Sequence, residues 1–226
     1  MSTEARSELY TTIHKGWRMR LSQISLKAGK LDYSDRANVD TFHGELKSMV
    51  TGIRHHHETE ETYIHPLLSA VMPGGAEKLD EDHRKVDRLL DNLLVHFDGM
   101  RIKAAAFERR EELGLEFYLA FNRFNVFFLS HIDEEEEHVQ PALWNLCTAE
   151  ELETSRREIF ASQKPEEALE NLGMMLTSVN LDEIVNLIAF AKSSVSPDVF
   201  KLGLDFTQSV LDPHDWSVLK PRLGTT

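Results

Sequence analysis

Two stretches of the chain repeat one pattern of histidine, glutamate and proline. The first runs from His56 to Pro66 and the second from His131 to Pro141. In each, a glutamate follows the leading histidine by four residues, another glutamate comes directly after it, and the proline lies ten residues past the histidine. Residues four apart lie on one face of a helix, so each stretch presents an imidazole and a carboxylate together. Two such pairs supply four potential ligands to a metal site.

Apolar residues recur at alternating steps of four and three along four segments, and this spacing is typical of helices that pack one face against their neighbours. The pattern predicts an all-α fold whose first domain, residues 1–147, is an up-down antiparallel four-helix bundle. Pro66 is expected to kink or loosen the end of the second helix. The third helix can continue or turn after Gly99. The four predicted helices are residues 4–29, 35–71, 76–98 and 111–147.

Each of the four apolar rows contains a histidine, and two rows also contain a glutamate one turn later. A polar residue in such a row is predicted to be buried, because its neighbours along the row face the core. The candidate metal ligands are therefore His14, His56, Glu60, His83, His131 and Glu135. In chain order the rows are Tyr10, His14, Trp17, Leu21, Ile24, Ala28; Phe42, Leu46, Met49, Ile53, His56, Glu60, Tyr63, Leu67; Leu79, His83, Val86, Leu90, Leu93, Phe97; and Phe117, Phe121, Phe124, Phe128, His131, Glu135, His138, Ala142.

A cluster of two carboxylates and four imidazoles indicates a metal centre. Burying carboxylates without partners costs much free energy, whereas bound dications are neutralised by them. Mixed imidazole and carboxylate ligands suit iron, manganese or zinc. Glutamates at matching depth on different helices can bridge two metal ions, as in di-iron bundles. Six protein ligands on two irons would leave positions open for water, hydroxide or dioxygen.

Taken one at a time, these residues have ordinary explanations. A single histidine in a core row is more often hydrogen-bonded than metal-bound, and the runs 55–57 and 134–137 can be solvated faces. Their coincidence on four helices favours the metal site. His57 can contact a second metal, and Glu61 and Glu136 are expected to support the ligands or to face solvent. Four further histidines are predicted not to be ligands: His43, His65, His96 and His138.

The remainder of the chain, residues 148–226, is predicted to be a short-helix extension that packs on the bundle. Thr148 and Glu151 fit a capping box, and Ser196 and Asp212 each precede a proline suited to the first helical position. Ser34 or Asp35 is likewise expected to cap the second helix. The predicted helices of the extension lie near residues 149–162, 165–178, 181–193, 197–210 and 213–220.

Charge and composition narrow the possible partners. The 226-residue chain has a formal net charge of −13, which argues against nucleic acid and anionic membrane surfaces. Its single cysteine, Cys147, excludes an internal disulfide and fits a reducing compartment. The sequence has no apolar run resembling a signal peptide or a membrane span. The chain is therefore expected to be cytoplasmic.

The motifs resemble those of the hemerythrin-like, HHE cation-binding domain family. The resemblance covers about residues 5–147 and implies a non-haem di-iron centre, two iron ions with an oxo or hydroxo bridge. It also implies that the six candidate ligands hold these irons, with Glu60 and Glu135 bridging. The matching motifs are His14, His56-x3-Glu60 with Pro66, Asp82-His83, and His131-x3-Glu135 with Pro141.

Two positions differ from the hemerythrins that carry oxygen. Those proteins have a second histidine four residues after the histidine of the third helix, where this chain has Asp87. They also have an aspartate five residues after the last histidine, where this chain has Glu136 and offers Glu135 one position earlier. The pattern is more similar to hemerythrin-like proteins of iron or oxygen sensing, peroxide or nitric oxide handling, and iron–sulfur repair.

The resemblance and the ligand set together favour a non-haem di-iron protein that binds dioxygen or a related small oxidant. Its expected role is sensing, storage or stress response. One alternative is a di-iron enzyme that acts on peroxide or nitric oxide at the same centre. Another is an iron-responsive module in which metal occupancy orders the bundle and residues 148–226 meet an unidentified protein partner.

Overall fold

The computed structural model describes residues 7–105 and 110–224. Every regular element among them is helical, which confirms the predicted all-α class. A π-helical turn, Glu135–Val139, joins α5 to α6. The α-helices are α1 (Thr11–Lys30), α2 (Arg36–Tyr63), α3 (His65–Val71), α4 (Glu77–Ala105), α5 (Arg110–Glu134), α6 (Gln140–Leu146), α7 (Ala149–Ser162), α8 (Pro165–Leu176), α9 (Leu181–Ser194), α10 (Pro197–Val210) and α11 (Pro213–Arg222).

The first helix begins later than predicted. Residues 4–6 lie outside the described residues, and α1 starts at Thr11. The Glu8 side chain accepts hydrogen bonds from the backbone N–H of Thr12, at 3.3 Å, and from its hydroxyl, at 2.8 Å. Glu8 therefore satisfies a donor at the start of the helix from outside it, as a capping residue does.

The third predicted helix continues past Gly99, so α4 extends to Ala105. A Cβ at Gly99 would meet nothing within 4 Å, and one interior glycine costs a helix only about 1 kcal/mol. The gap predicted between residues 71 and 76 is confirmed, and it contains Gly74. Its φ of +80° lies in the left-handed region that glycine adopts without penalty.

Pro66 interrupts the second predicted helix, as expected. Proline has no N–H to donate and its ring clashes with the carbonyl of the residue four positions earlier, here Thr62. The helix ends at Tyr63, and Ile64, with φ −109° and ψ −48°, links α2 to α3. Helical hydrogen bonding continues on both sides of this link, because the Ile64 N–H donates to the Glu60 carbonyl and the Leu68 N–H donates to the Ile64 carbonyl, each at 2.9 Å.

Pro141 produces a different irregularity that the sequence pattern did not predict. The Gln140 N–H donates to the Glu135 carbonyl five residues earlier, which defines a π-helical turn directly before the proline. The wider turn relieves the clash between the proline ring and the carbonyl of Glu137. Two equivalent prolines are thus accommodated by a break in one helix and by a bulge in the other.

Both irregularities shift the inward-facing row by one residue. Glu60 and Glu135 of the predicted rows are buried, at 2% and 0% exposure. In α2 the departure begins before the link at Ile64, because His57 is buried and the predicted row residue His56 is only partly buried. In the other helix the departure follows Glu135, where the π-helical turn changes the register. The predicted row positions Tyr63, Leu67, His138 and Ala142 were wrong, and the buried residues are Ile64, Leu68, Val139 and Leu143.

The helix caps predicted from the sequence are confirmed. Asp35 caps α2 by accepting a hydrogen bond from the Asn38 N–H. Thr148 and Glu151 form a reciprocal capping box at α7. Ser196 and Asp212 cap the helices that begin at the following prolines. Short polar side chains at these positions satisfy N–H groups that have no partner within the helix.

The structure divides into two compact units. One comprises residues 20–143, and the other comprises the residues up to Met19 together with those from Trp144 onward. The predicted domain boundary at residue 147, and the packing of 148–226 on a bundle, stay predictions. In the described part of the chain, no helix is long and apolar enough to cross a membrane.

In the unit of residues 20–143, aromatic rings join three helices. Phe42 of α2 lies 5.2 Å from Phe97 of α4, which lies 4.8 Å from Phe117 of α5, measured between ring centroids. The end of α1 joins them, since the Ser25 hydroxyl donates to Asn122 of α5 at 2.9 Å. Helices of this unit therefore present their apolar rows to one interior.

The other unit has a core of its own. Its buried centre unites α8, α9 and α11, and the Phe160 and Phe190 rings meet edge to face at 5.6 Å. The start of the chain belongs to this unit, because the Ser7 hydroxyl donates to Glu153 at 2.7 Å. The buried residues of that centre are Leu176, Ile184, Ile188 and Leu219.

Close packing at Gly114 gives a prediction about stability. A Cβ at this position of α5 would overlap the ring of Tyr33, whose pKa is raised to about 12 by burial. We expect Gly114→Ala to lower the free energy of unfolding by about 1–3 kcal/mol through overpacking. The matched change Gly44→Ala, where a Cβ meets nothing within 4 Å, should raise it by about 0.5–1 kcal/mol. Chemical denaturation of both variants measures these shifts, and equal shifts would contradict the close contact.

Candidate metal centre

Glu60 lies between two histidines from different helices. Its Oε1 is 3.3 Å from His56 Nε2 on the preceding turn of α2, and its Oε2 is 3.3 Å from His83 Nε2 on α4. The two oxygens of one buried carboxylate thus face two different imidazoles. A carboxylate that presents its oxygens in two directions has the arrangement needed to bridge two cations.

Glu135 supplies a second buried carboxylate to the same interior. Its Oε1 lies 3.4 Å from His131 Nε2 and 3.8 Å from His83 Nε2. Glu60, His83, His131 and Glu135 each offer one ligand atom within 4.8 Å of the others, and all four are buried. Three helical segments therefore converge on one polar cluster inside an otherwise apolar core.

The ring of His83 is fixed by a carboxylate outside this cluster. Its Nδ1 shares a 2.9 Å hydrogen bond with Glu61, whose side chain is 46% exposed. This contact leaves Nε2 facing Glu60 and Glu135. An outer carboxylate that orients a ligand histidine in this way is typical of metal sites. Glu61 thus contacts a ligand candidate while remaining partly exposed, and the sequence had left both positions open for it.

His57 joins the cluster from the residue after His56. Its ring is parallel to that of His83, with centroids 3.9 Å apart and an interplanar angle of 5°. His57, His83 and His131 form a second buried group whose ligand atoms lie within 4.8 Å of one another. The sequence left this residue open as an additional ligand, and its burial at 3% exposure was not evident from the apolar row.

Electrostatics divide these histidines into two kinds. Burial lowers the pKa of His131 to about 2 and also lowers the pKa of His57, so both rings are neutral at pH 7. Burial lowers the pKa of His83 as well, but its contacts with Glu135 and Glu60 outweigh that effect and raise it to about 10. Without a bound cation, the two carboxylates therefore hold a proton on His83.

The hydrogen bonding of the buried ring nitrogens indicates whether the cluster fits a metal ion. Both ring nitrogens of His131 and both of His57 are buried and make no hydrogen bond to any described residue. Buried polar groups are normally hydrogen-bonded, and leaving them unsatisfied is costly. Neutral imidazoles are good ligands for divalent transition metals. The residues therefore fit a cation site, because coordination would satisfy nitrogens that the protein leaves unsatisfied.

Apolar side chains surround the cluster. Ile53 lies three residues before His56, and Ile132 follows His131 directly. Both are fully buried. The Phe128 ring lies 6.2 Å from His57 and 6.3 Å from His131. Such surroundings keep water away and strengthen every electrostatic interaction inside.

The predicted site residues are thus placed as follows. Within the unit of residues 20–143, the structure brings together five of the six candidates and adds His57. His14 lies on α1 in the other unit, fully buried, with its ring 5.5 Å from Tyr10. Its role as a ligand stays a prediction. The five assembled candidates are His56, Glu60, His83, His131 and Glu135.

One neighbour of the cluster was missed by the sequence interpretation. His65 is buried, shares a 2.6 Å hydrogen bond with Asp80, and stacks at 5.1 Å on His83. His65 is the first residue of α3, after the link at Ile64. The apolar row of α2 therefore could not predict which way its side chain faces. His138 is exposed.

Buried imidazoles and carboxylates inside an all-α protein define a cation-binding helical protein. Residues 6–143, more than half of the chain, match the model of the hemerythrin HHE cation-binding domain. The chain belongs to this family. Searches of curated proteins and of solved structures found no match.

The raised pKa of His83 gives a prediction about pH. A cation that binds Glu60 and Glu135 must displace the proton from His83, whereas neutral His57 and His131 release none. Below a pKa of about 10 the proton is bound, so cation affinity should rise by about tenfold per pH unit near neutrality. Zinc titrations by calorimetry in two buffers of different ionisation enthalpy should show about one proton released per chain at pH 7.5. Binding without proton release would contradict this charge arrangement.

Proposed function

We propose that this protein holds two iron ions in a non-haem di-iron centre inside an up-down four-helix bundle. We further propose that the centre binds dioxygen or a related small oxidant, in sensing, storage or stress response. The ligands proposed are those identified in the sequence: His14, His56, Glu60, His83, His131 and Glu135.

The observation that carries the proposal is the position of Glu60. Its two oxygens face His56 on one side and His83 on the other, each at 3.3 Å. A single cation beside one oxygen would leave the other oxygen buried next to an imidazole only. Two cations, one held on each side, would use both oxygens. Membership of the HHE cation-binding family supports the same interpretation.

The donor types fit iron and other transition metals of similar preference better than calcium or magnesium. Imidazole and carboxylate together suit iron, manganese and zinc, whereas calcium and magnesium prefer oxygen donors alone. A structural zinc site is normally closed by four ligands, and the assembled donors exceed that number. When bound, two irons would supply the redox chemistry needed to bind or reduce a small oxidant.

The protein's own residues prepare the site in three ways. Burial keeps His57 and His131 neutral, so their nitrogens are available as donors at pH 7. Glu61 fixes the ring of His83. The buried side chains of Phe128 and Ile132 exclude water, which protects a reactive centre from side reactions.

Replacing one central ligand tests the proposal. We expect Glu135→Ala and His83→Ala to lose most bound iron, because each removes a buried donor facing the shared interior. The control His138→Ala changes an exposed histidine three residues from Glu135 and should keep two irons per chain. Iron per chain after anaerobic loading and gel filtration is the measurement. A Glu135→Ala protein that still holds two irons would refute the ligand assignment.

The optical spectrum of the iron-loaded protein separates the roles. A stable absorption band that forms on exposure to air, without turnover, would support binding or sensing of an oxidant. Steady consumption of peroxide or nitric oxide would instead identify an enzyme. Circular dichroism of each variant without metal checks that the helices persist.

A further inference from the structure

We propose that His57 is a ligand of one of the two cations and that Asp87 orients it. This inference rests on the proposed binuclear centre and deepens it. The neighbouring residues His56 and His57 would then serve different cations. Consecutive residues of a helix point about 100° apart, so two adjacent histidines can reach opposite sides of Glu60 on the following turn.

The contacts of His56 and His57 show this division. The His56 ring approaches Oε1 of Glu60, whereas the His57 ring stacks on His83, the neighbour of Oε2. The two adjacent rings are 6.1 Å apart between centroids. His57 therefore lies on the side of the cluster that His83 and His131 occupy, and its ligand atom is within reach of theirs.

His57 lacks the contacts of an ordinary core histidine. A buried imidazole is normally held by hydrogen bonds to the protein. Among the described residues, neither of its nitrogens has a hydrogen-bond partner, and Asp87 Oδ1 lies 3.7 Å from Nδ1, too far for a direct hydrogen bond. An apolar side chain would fill the same space at lower cost. Coordination through one nitrogen, with Asp87 near the other, explains why histidine is there.

Asp87 has the position of an outer carboxylate. It lies one turn after His83 on α4, and its Oδ1 is buried although the side chain as a whole is 45% exposed. Arg54 Nε lies 3.8 Å from the same oxygen. Carboxylates placed behind a ligand histidine fix its ring and make it a stronger donor. In this proposal Asp87 of α4 is the supporting group, and His57 of α2 provides the imidazole that binds the cation.

The two cation positions are consequently unequal. One is near the three imidazoles of His57, His83 and His131, and the other is near His56. Removing His57 should therefore weaken one of two binding steps and leave the other.

Cobalt(II) titration of the full chain tests this assignment, with visible absorption and chelator competition as readouts. We expect the unmodified chain to bind two cobalt ions and His57→Ala to weaken one step by at least the 10–100-fold typical of losing an outer carboxylate. The control is His55→Ala, in the same histidine run, whose side chain is 32% exposed beside Glu58. It should leave both steps and the spectrum unchanged.

Asp87→Asn is a second variant. It keeps the shape of the side chain at position 87 and leaves the buried His57 ring in place. It should weaken the same step by about 10–100-fold. Its control is Asp91→Asn, one turn further along α4, where the carboxylate also pairs with Arg54, at 2.6 Å, but belongs to an exposed side chain. This comparison decides the question if His57→Ala fails to fold.

The outcomes separate this inference from the proposed function. Two cobalt ions bound with unchanged affinity and spectrum in both His57→Ala and Asp87→Asn would overturn the role of His57 and leave the binuclear centre standing. Fewer than two cobalt ions bound by the unmodified chain would overturn the binuclear centre, and this inference with it.

Discussion

Two buried carboxylates that share one imidazole are the interaction on which the rest of the site depends. Glu60 and Glu135 are exposed by 2% or less, and His83 lies within 4 Å of both. Removing an ionised carboxylate from water costs several kcal/mol even after the protein relaxes. Positive charge placed between them offsets this cost. A proton on His83 supplies one unit, and a divalent cation supplies more, so the fold is arranged to favour the cation.

The helices bring these carboxylates inward by interrupting their own regularity. Glu60 lies four residues before the link at Ile64, and Glu135 begins the π-helical turn. A proline follows each within six residues and removes a backbone donor. The link follows Glu60 and the π-helical turn begins at Glu135, so the preceding turns keep the regular spacing that aligns histidine and glutamate.

The sequence could predict the arrangement only where the helices are regular. The apolar rows located His56, Glu60, His131 and Glu135, because residues three and four apart share a face as long as the helix is uniform. The caps were predictable from local chemistry, as at Thr148. The shift of the row in the turn before each proline was not, because a proline can be accommodated by a break or by a bulge. The burial of His57 was also missed, since only the packing of α4 against α2 shows which of two adjacent histidines faces His83.

Charge balance connects the cluster to the proposed chemistry. Glu60 and Glu135 together carry two negative charges, and the neighbouring His57 and His131 are neutral at pH 7. One divalent cation would balance the two carboxylates. Two divalent cations would leave two positive charges in an interior lined by Phe128 and Ile132, where an uncompensated charge is expensive. The proposed binuclear centre would therefore favour a small anionic ligand, or an electron-accepting molecule that becomes anionic when bound. With only two carboxylates, that centre would be better suited to the proposed small oxidant than to a purely structural role.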